Sequence, residues 1–176
     1  TGRMAQTVTP TAAIPLYGRS ADNIRDHRHV TSLLHRIETT DTGVLVTPTL
    51  SFDERGHQVN HMTYYCVGWS GNGEKPVDFY PTAEDFVGEG GNFERPYAIV
   101  KNAEGVKAGT KIEGLEAVGG LHFSEITLEP EEECSYLIFT GITEDIQEIR
   151  NLSKTYTTRE KVLEELEKTK AYWQGK

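Results

Sequence analysis

From Gly43 onward, apolar and polar residues alternate in several short runs with the period of half-buried strands. Val44-Leu45-Val46 leads into Thr47-Pro48-Thr49-Leu50-Ser51-Phe52, where Leu50 and Phe52 alternate with hydroxyls. Pro48 cannot donate to a ladder, so this run predicts an edge or bulged strand. Asp53-Glu54-Arg55-Gly56 reads as a turn, and a second strand over Met62 to Trp69 completes a hairpin with a long loop. Tyr97 to Val100 predicts a third strand, and Leu121 to Leu128 a fourth that ends at Pro130. After the acidic turn Glu131-Glu132-Glu133, Tyr136 to Phe139 predicts a fifth. Residues 70–96, rich in Gly and Pro, read as an irregular loop that carries Phe86, Val87 and Phe93. The first forty residues read mostly as loop and turn. A short element near Val30 to Ile37 could be helix or strand.

After Gly141 the period becomes helical. Ile142, Ile146, Ile149 and Leu152 recur every three or four residues, with Thr143 as the expected cap and Glu144 and Asp145 in the first turn. A second helix opens on Thr157-Thr158-Arg159-Glu160, which has the form of a capping box between Thr157 and Glu160. Its apolar stripe is Val162, Leu163, Leu166 and Trp173, with Glu164 and Lys168 as a supporting pair. Strands followed by helices, without βαβ alternation, exclude a doubly wound parallel sheet. The expected division is a sandwich over 1–141 and a helical segment over 142–176.

Charge narrows the choice of partners. The formal net charge is −9, and residues 62–176 carry the whole deficit. Such a surface repels phosphate backbones, which argues against a nucleic-acid partner. No apolar run approaches the roughly 20 residues of a spanning helix. No cationic and apolar leader is visible, and a cytoplasmic location is expected. The chain opens at Thr1 rather than Met, so the natural N-terminus is expected to lie further upstream. Cys66 and Cys134 sit in apolar, strand-like runs and read as two buried free thiols rather than a disulfide.

Residues 1–61 hold six Arg and five of the six His. Arg19, Arg25, Arg28 and Arg36 form the best candidate surface, for an anion or for salt bridges to another domain. His27 and His29 could face the same way and share a metal with Asp22, but a solvated or interface loop is the preferred reading. His57 and His61 have the spacing of a helical zinc pair, in a stretch that is not helical. Gly68 to Lys75 and Gly88 to Gly91 are turns, since neither has the lysine or the strand and helix that a phosphate loop needs. Glu84 and Asp85 lie among Phe79, Tyr80 and Phe86; paired carboxyls with aromatics suit sugar chemistry, although one doublet reads first as solvated acid.

Thr82-Ala83-Glu84-Asp85-Phe86-Val87-Gly88 with Arg95-Pro96 resembles a loop of the family-94 glycoside phosphorylases, the cellobiose, chitobiose and oligoglucan enzymes. Leu128-Glu129-Pro130-Glu131-Glu132-Glu133 before Leu137-Ile138-Phe139 is similar to their strand, Pro-Gly-Glu turn and strand. Thr155-Tyr156 and Val162 to Trp173 resemble their helical linker. Thr82 and Ala83 stand in place of Asp and Arg, and Glu131 in place of the turn glycine.

The resemblance implies a mainly β, antiparallel β-supersandwich (galactose-mutarotase-like) with C-terminal linker helices. It also implies a non-catalytic domain whose (α/α)6 catalytic barrel lies beyond the linker. The parent reaction would be inverting phosphorolysis of β-glucosides to α-sugar 1-phosphate, with inorganic phosphate as co-substrate and no cofactor or metal. Partners would be a β-glucan oligosaccharide, phosphate, the chain's own barrel and a second subunit in a homodimer. Arg19, Arg25, His27, Arg28, His29, Glu84 and Asp85 are the expected substrate or interface contacts, none of them catalytic. The alternative is a free-standing carbohydrate-binding module presenting Tyr64, Tyr65, Trp69 and Tyr80 as an aromatic strip.

Overall fold

The computed structural model describes residues 3–18, 28–53 and 56–175. Its centre is a five-stranded sheet in the order β12-β7-β4-β3-β9. These strands are β3 (Arg36–Thr39), β4 (Gly43–Val46), β7 (Thr63–Ser70), β9 (Lys111–Glu113) and β12 (Tyr136–Thr143). A three-stranded sheet, β2-β10-β8, faces it and is built from β2 (Thr11–Leu16), β8 (Asp78–Thr82) and β10 (Ala117–His122). Two small ribbons, β1 (Gln6–Val8) with β11 (Ile126–Leu128) and β5 (Leu50–Asp53) with β6 (Gly56–Val59), complete the set. Every pairing is antiparallel.

The alternation that marks these strands sorts their side chains between two cores. Val44, Val46 and Cys66 point inward with Phe79, Leu121 and Phe123 from the other side of the sandwich. Their neighbours Leu45, Val67 and Trp69 point the opposite way, beneath α4 (Ile146–Thr155). Both faces of β4 are therefore buried, and its sequence reads as a continuous apolar run rather than an alternating one. The second outer layer is α2 (Ala83–Val87) with α3 (Tyr97–Lys101), which cover Tyr80 and Val118. The remaining helices are α1 (Arg28–Ser32) and α5 (Arg159–Gln174).

Several expectations change. Tyr97 to Val100 forms α3 rather than a strand, because the Pro96 carbonyl accepts from the Ile99 and Val100 amides and Asn102, at φ +47°, closes the turn. Part of the supposed loop 70–96 is β8, buried along its whole length, whose Asp78 and Pro81 hide the pattern. β2 lay in the segment read as loop; its Pro15 is tolerated because β2 pairs on one side only. The hairpin of β4 with β7 forms, but β5 and β6 make a second hairpin inside its loop. The fourth expected strand is two, β10 and β11. At Gly119 a Cβ would stand 2.2 Å from that of Cys66, so glycine lets the two sheets approach.

The helical switch is observed with shifted caps. α4 begins after Asp145, whose carboxylate accepts from the Gln147 amide at 2.8 Å, so Thr143 is the last residue of β12. The cap of α5 is Thr158, without a side-chain bond to the helix amides, and Lys168 pairs with Glu165 at 2.5 Å rather than with Glu164. Cys66 is buried, and that burial pushes its thiol up to about 12; Cys134 is exposed, against expectation, and both are free. No helix among the described residues is long and apolar enough to cross a membrane.

Candidate functional site

The sequence-predicted contacts divide sharply. Arg19, Arg25 and His27 lie outside the described residues, as does Asp22; Arg28 and His29 open α1. Arg36 is at the start of β3, with Nε 3.4 Å from Glu113 of β9, so this member of the cluster makes a salt bridge within its own sheet. His35 is structural: buried at 1% exposure, it sets Nε2 3.0 Å from the Tyr17 carbonyl and Nδ1 3.1 Å from that of Leu115.

Glu84 and Asp85 do line a cavity. Thr82 accepts from the Asp85 amide at 3.1 Å and donates its hydroxyl to the Asp85 carboxylate at 2.6 Å, which caps α2 and fixes Asp85 at its start. An aspartate in place of Thr82 could cap in the same way, which accounts for one departure from the family's loop. Gly88 closes α2 at φ +78°, and α3 follows across the gap. The third wall is the segment 103–106, held by two bonds of 2.9 Å between Phe79 and Val106. Together they enclose about 370 Å³, lined by Tyr80, Glu84, Asp85, Glu89, Tyr97 and Glu104 among others.

A polar network that sequence reasoning missed lies under this cavity. Tyr80 donates to the Ala103 carbonyl at 2.5 Å, and its hydroxyl lies 3.4 Å from His122 Nδ1. That nitrogen is 2.6 Å from Asp78 Oδ1, close enough to donate to it, and Lys107 Nζ stands 3.8 Å from Asp78 Oδ2. Burial, reinforced by the Asp78 charge, pushes the Tyr80 hydroxyl up to about 12. Asp78 and His122 sit 44 positions apart, and only the β8–β10 register Asp78↔His122 brings them together. The one available signal was a period-2 match between Asp78 and Tyr80.

The wall chemistry is one-sided. Glu84, Asp85, Glu89 and Glu104 offer acceptors, and Tyr97 offers a half-exposed ring. Such a surface suits hydroxyl donors and repels phosphate. Residues 7–159 match the family described as Glycosyl hydrolase 94, supersandwich domain. The chain belongs to that family. The family places this supersandwich among the glycoside phosphorylases and in carbohydrate metabolism. No curated protein matches the chain.

Proposed function

We propose that this supersandwich is a non-catalytic support domain of an inverting glycoside phosphorylase that converts β-glucosides and inorganic phosphate to α-sugar 1-phosphates. In this reading the sandwich, expected over 1–141, runs on to Thr143 at the end of β12, and the helices after it lead toward an (α/α)6 catalytic barrel. The observation that carries it is the state of α5. Val162 packs with the Trp69 cluster, whereas Leu163, Leu166, Tyr172 and Trp173 are exposed, the last at 67%. A helix anchored at one end with an uncovered apolar stripe is built to meet another surface. Glu84 and Asp85 are adjacent on one turn, and Asp85 is engaged by Thr82. That suits wall and capping roles better than acid–base work on opposite sides of a sugar.

The binding-module reading needs an exposed aromatic strip. Trp69 and Tyr80 are buried at 3% and 2% exposure, and Tyr64 and Tyr65 are half-buried, so those four do not form one. The deciding assay is phosphate release from α-glucose 1-phosphate with short β-glucan acceptors. It compares this chain with a version running to the natural end of its reading frame. Activity is expected in the long form alone. Activity in the short chain would return Glu84 and Asp85 to catalytic roles, and silence in both would favour a binding module.

A further inference from the structure

The layer outside the three-stranded sheet leaves an apolar face uncovered. α3 is five residues long, and Ala98 alone among them is buried; Tyr97, Ile99 and Val100 are each about half exposed. At about 3.6 residues per turn these three fall on the side opposite Ala98 and form one patch. Tyr97 also lines the cavity between α2 and α3. A Cβ on Gly88 would stand 2.8 Å from that of Tyr97, so glycine, at φ +78°, seats the base of the ring against the end of α2. The cavity wall holds Glu84, Asp85, Glu89 and Glu104, and no basic side chain lines it. Thr82 engages Asp85, and Lys107 approaches Glu104 at 3.8 Å. Among the described residues, the carboxylates of Glu84 and Glu89 have no partner.

We propose that this face docks a segment of a different polypeptide that carries an arginine beside an apolar residue. The guanidinium enters the cavity between the Tyr97 ring and the carboxylates of Glu84 and Glu89, and the apolar residue rests on α3 at Val100. A guanidinium is flat and always charged, so it stacks on an aromatic ring while its edge donates to carboxylates. Charge selects the occupant. The chain carries −9, with the whole deficit in residues 62–176, so its field draws a basic segment here and repels another acidic chain. The surface read above as meeting the barrel lies elsewhere. α4 and the start of α5 pack on the outer face of the five-stranded sheet, whereas α2 and α3 cover Tyr80 and Val118 on the opposite side of the sandwich. This inference therefore stands independently of the phosphorolysis reading.

Titration of the isotope-labelled chain with the peptide acetyl-Leu-Arg-Leu-amide, followed by backbone amide shifts, provides the test. The expected result is saturable shifts confined to 84–89, 97–100 and 103–106. Citrulline in place of the peptide's arginine keeps the shape and loses the charge, and should weaken binding about tenfold. The variant Glu84→Gln/Glu89→Gln alters two exposed positions and should weaken it by about as much, with the rest of the amide spectrum unchanged. Equal affinity for the citrulline peptide, or equal affinity of the folded variant, overturns the proposal, and so does a wild type without saturable shifts. If the variant does not fold, the citrulline comparison on the wild type decides. Cellobiose that moves the same amides while the peptide does not would give the cavity to a sugar. Shifts of these amides with chain concentration alone would give the face to a second copy, and either result overturns the proposal. The phosphate-release assay is untouched by all of these outcomes, so the two readings fail separately.

Discussion

The two outer layers of the supersandwich do the same structural work with opposite chemistry. On the five-stranded side, Trp69, Phe139 and Tyr156 stack at 5.1 and 5.5 Å, and the indole donates to the Tyr156 carbonyl at 2.9 Å. Ile149 of α4 packs in the same cluster. This layer is apolar, and its one prominent polar group is satisfied. On the three-stranded side, α2 and α3 are five residues each, and beneath them lie Asp78, Tyr80 and His122 bonded to one another. The difference teaches where to look for function. A layer that only has to stay closed is filled with rings, whereas one that keeps an open cavity holds its floor with directional bonds.

Removing the largest ring should separate the layers most clearly. Trp69→Ala deletes the largest ring of the stack, which Phe139 centres, and the bond that ties the end of α4 to β7. We expect it to destabilise the chain by about 3–5 kcal/mol in urea unfolding. Exchange protection should fall in α4 and persist in β8 and β10. Equal loss of protection in both layers would show that they unfold as one unit and end the distinction.

The polar layer is tested by a double-mutant cycle on Asp78 and His122. Either Asp78→Ala or His122→Ala alone takes from its partner the shortest contact, leaving His122 the 3.4 Å Tyr80 hydroxyl or Asp78 the 3.8 Å Lys107 ammonium, at an expected cost of about 1–3 kcal/mol. The double variant should cost less than the sum, because both single variants lose the same contact. Additive losses would mean that the 2.6 Å contact contributes no coupling and that this layer, too, is held by packing.

How much of this was legible follows from the same contrast. The apolar layer announced itself: Val44 to Val46, Met62 to Trp69 and Tyr136 to Phe139 are short, largely apolar runs, and Ile146, Ile149 and Leu152 recur with the helical period. The polar layer was hidden by residues that serve close packing or caps. Gly119 and Gly120 fall before the strand expected from Leu121, yet both belong to β10 and the first lets Cys66 approach. Pro81 and Pro15 interrupt strands that pair where a missing amide is tolerated. Ile99 and Val100 favour a strand, but Pro96 and Asn102 bracket them into one helical turn. Glu84 and Asp85 were visible as a doublet, and the cavity wall was not. It is assembled from a cap, a second short helix and a bridge at Val106, which no local spacing encodes.

The smallest predicted effect lies between the two layers and serves as their control. In the turn from β11 to β12, the Glu132 amide donates to the Glu129 carbonyl at 3.0 Å, and Glu131 is held at φ +67°. Proline followed by a residue of positive φ is the pattern of a type II turn, where glycine is favoured because a Cβ is strained there. The family's turn carries glycine where this chain has Glu131. Glu131→Gly should therefore stabilise the chain by about 1 kcal/mol, through relief of strain offset in part by the greater freedom of the unfolded chain. It also removes one of three consecutive acids, so the measurement belongs at high salt, where their repulsion is screened. Because the turn touches neither Trp69 nor Asp78, the gain should add to the losses at both. A gain that vanished in the Trp69→Ala background would show that this turn and the apolar layer form one cooperative unit, and the contrast would then have to be redrawn around β12 itself.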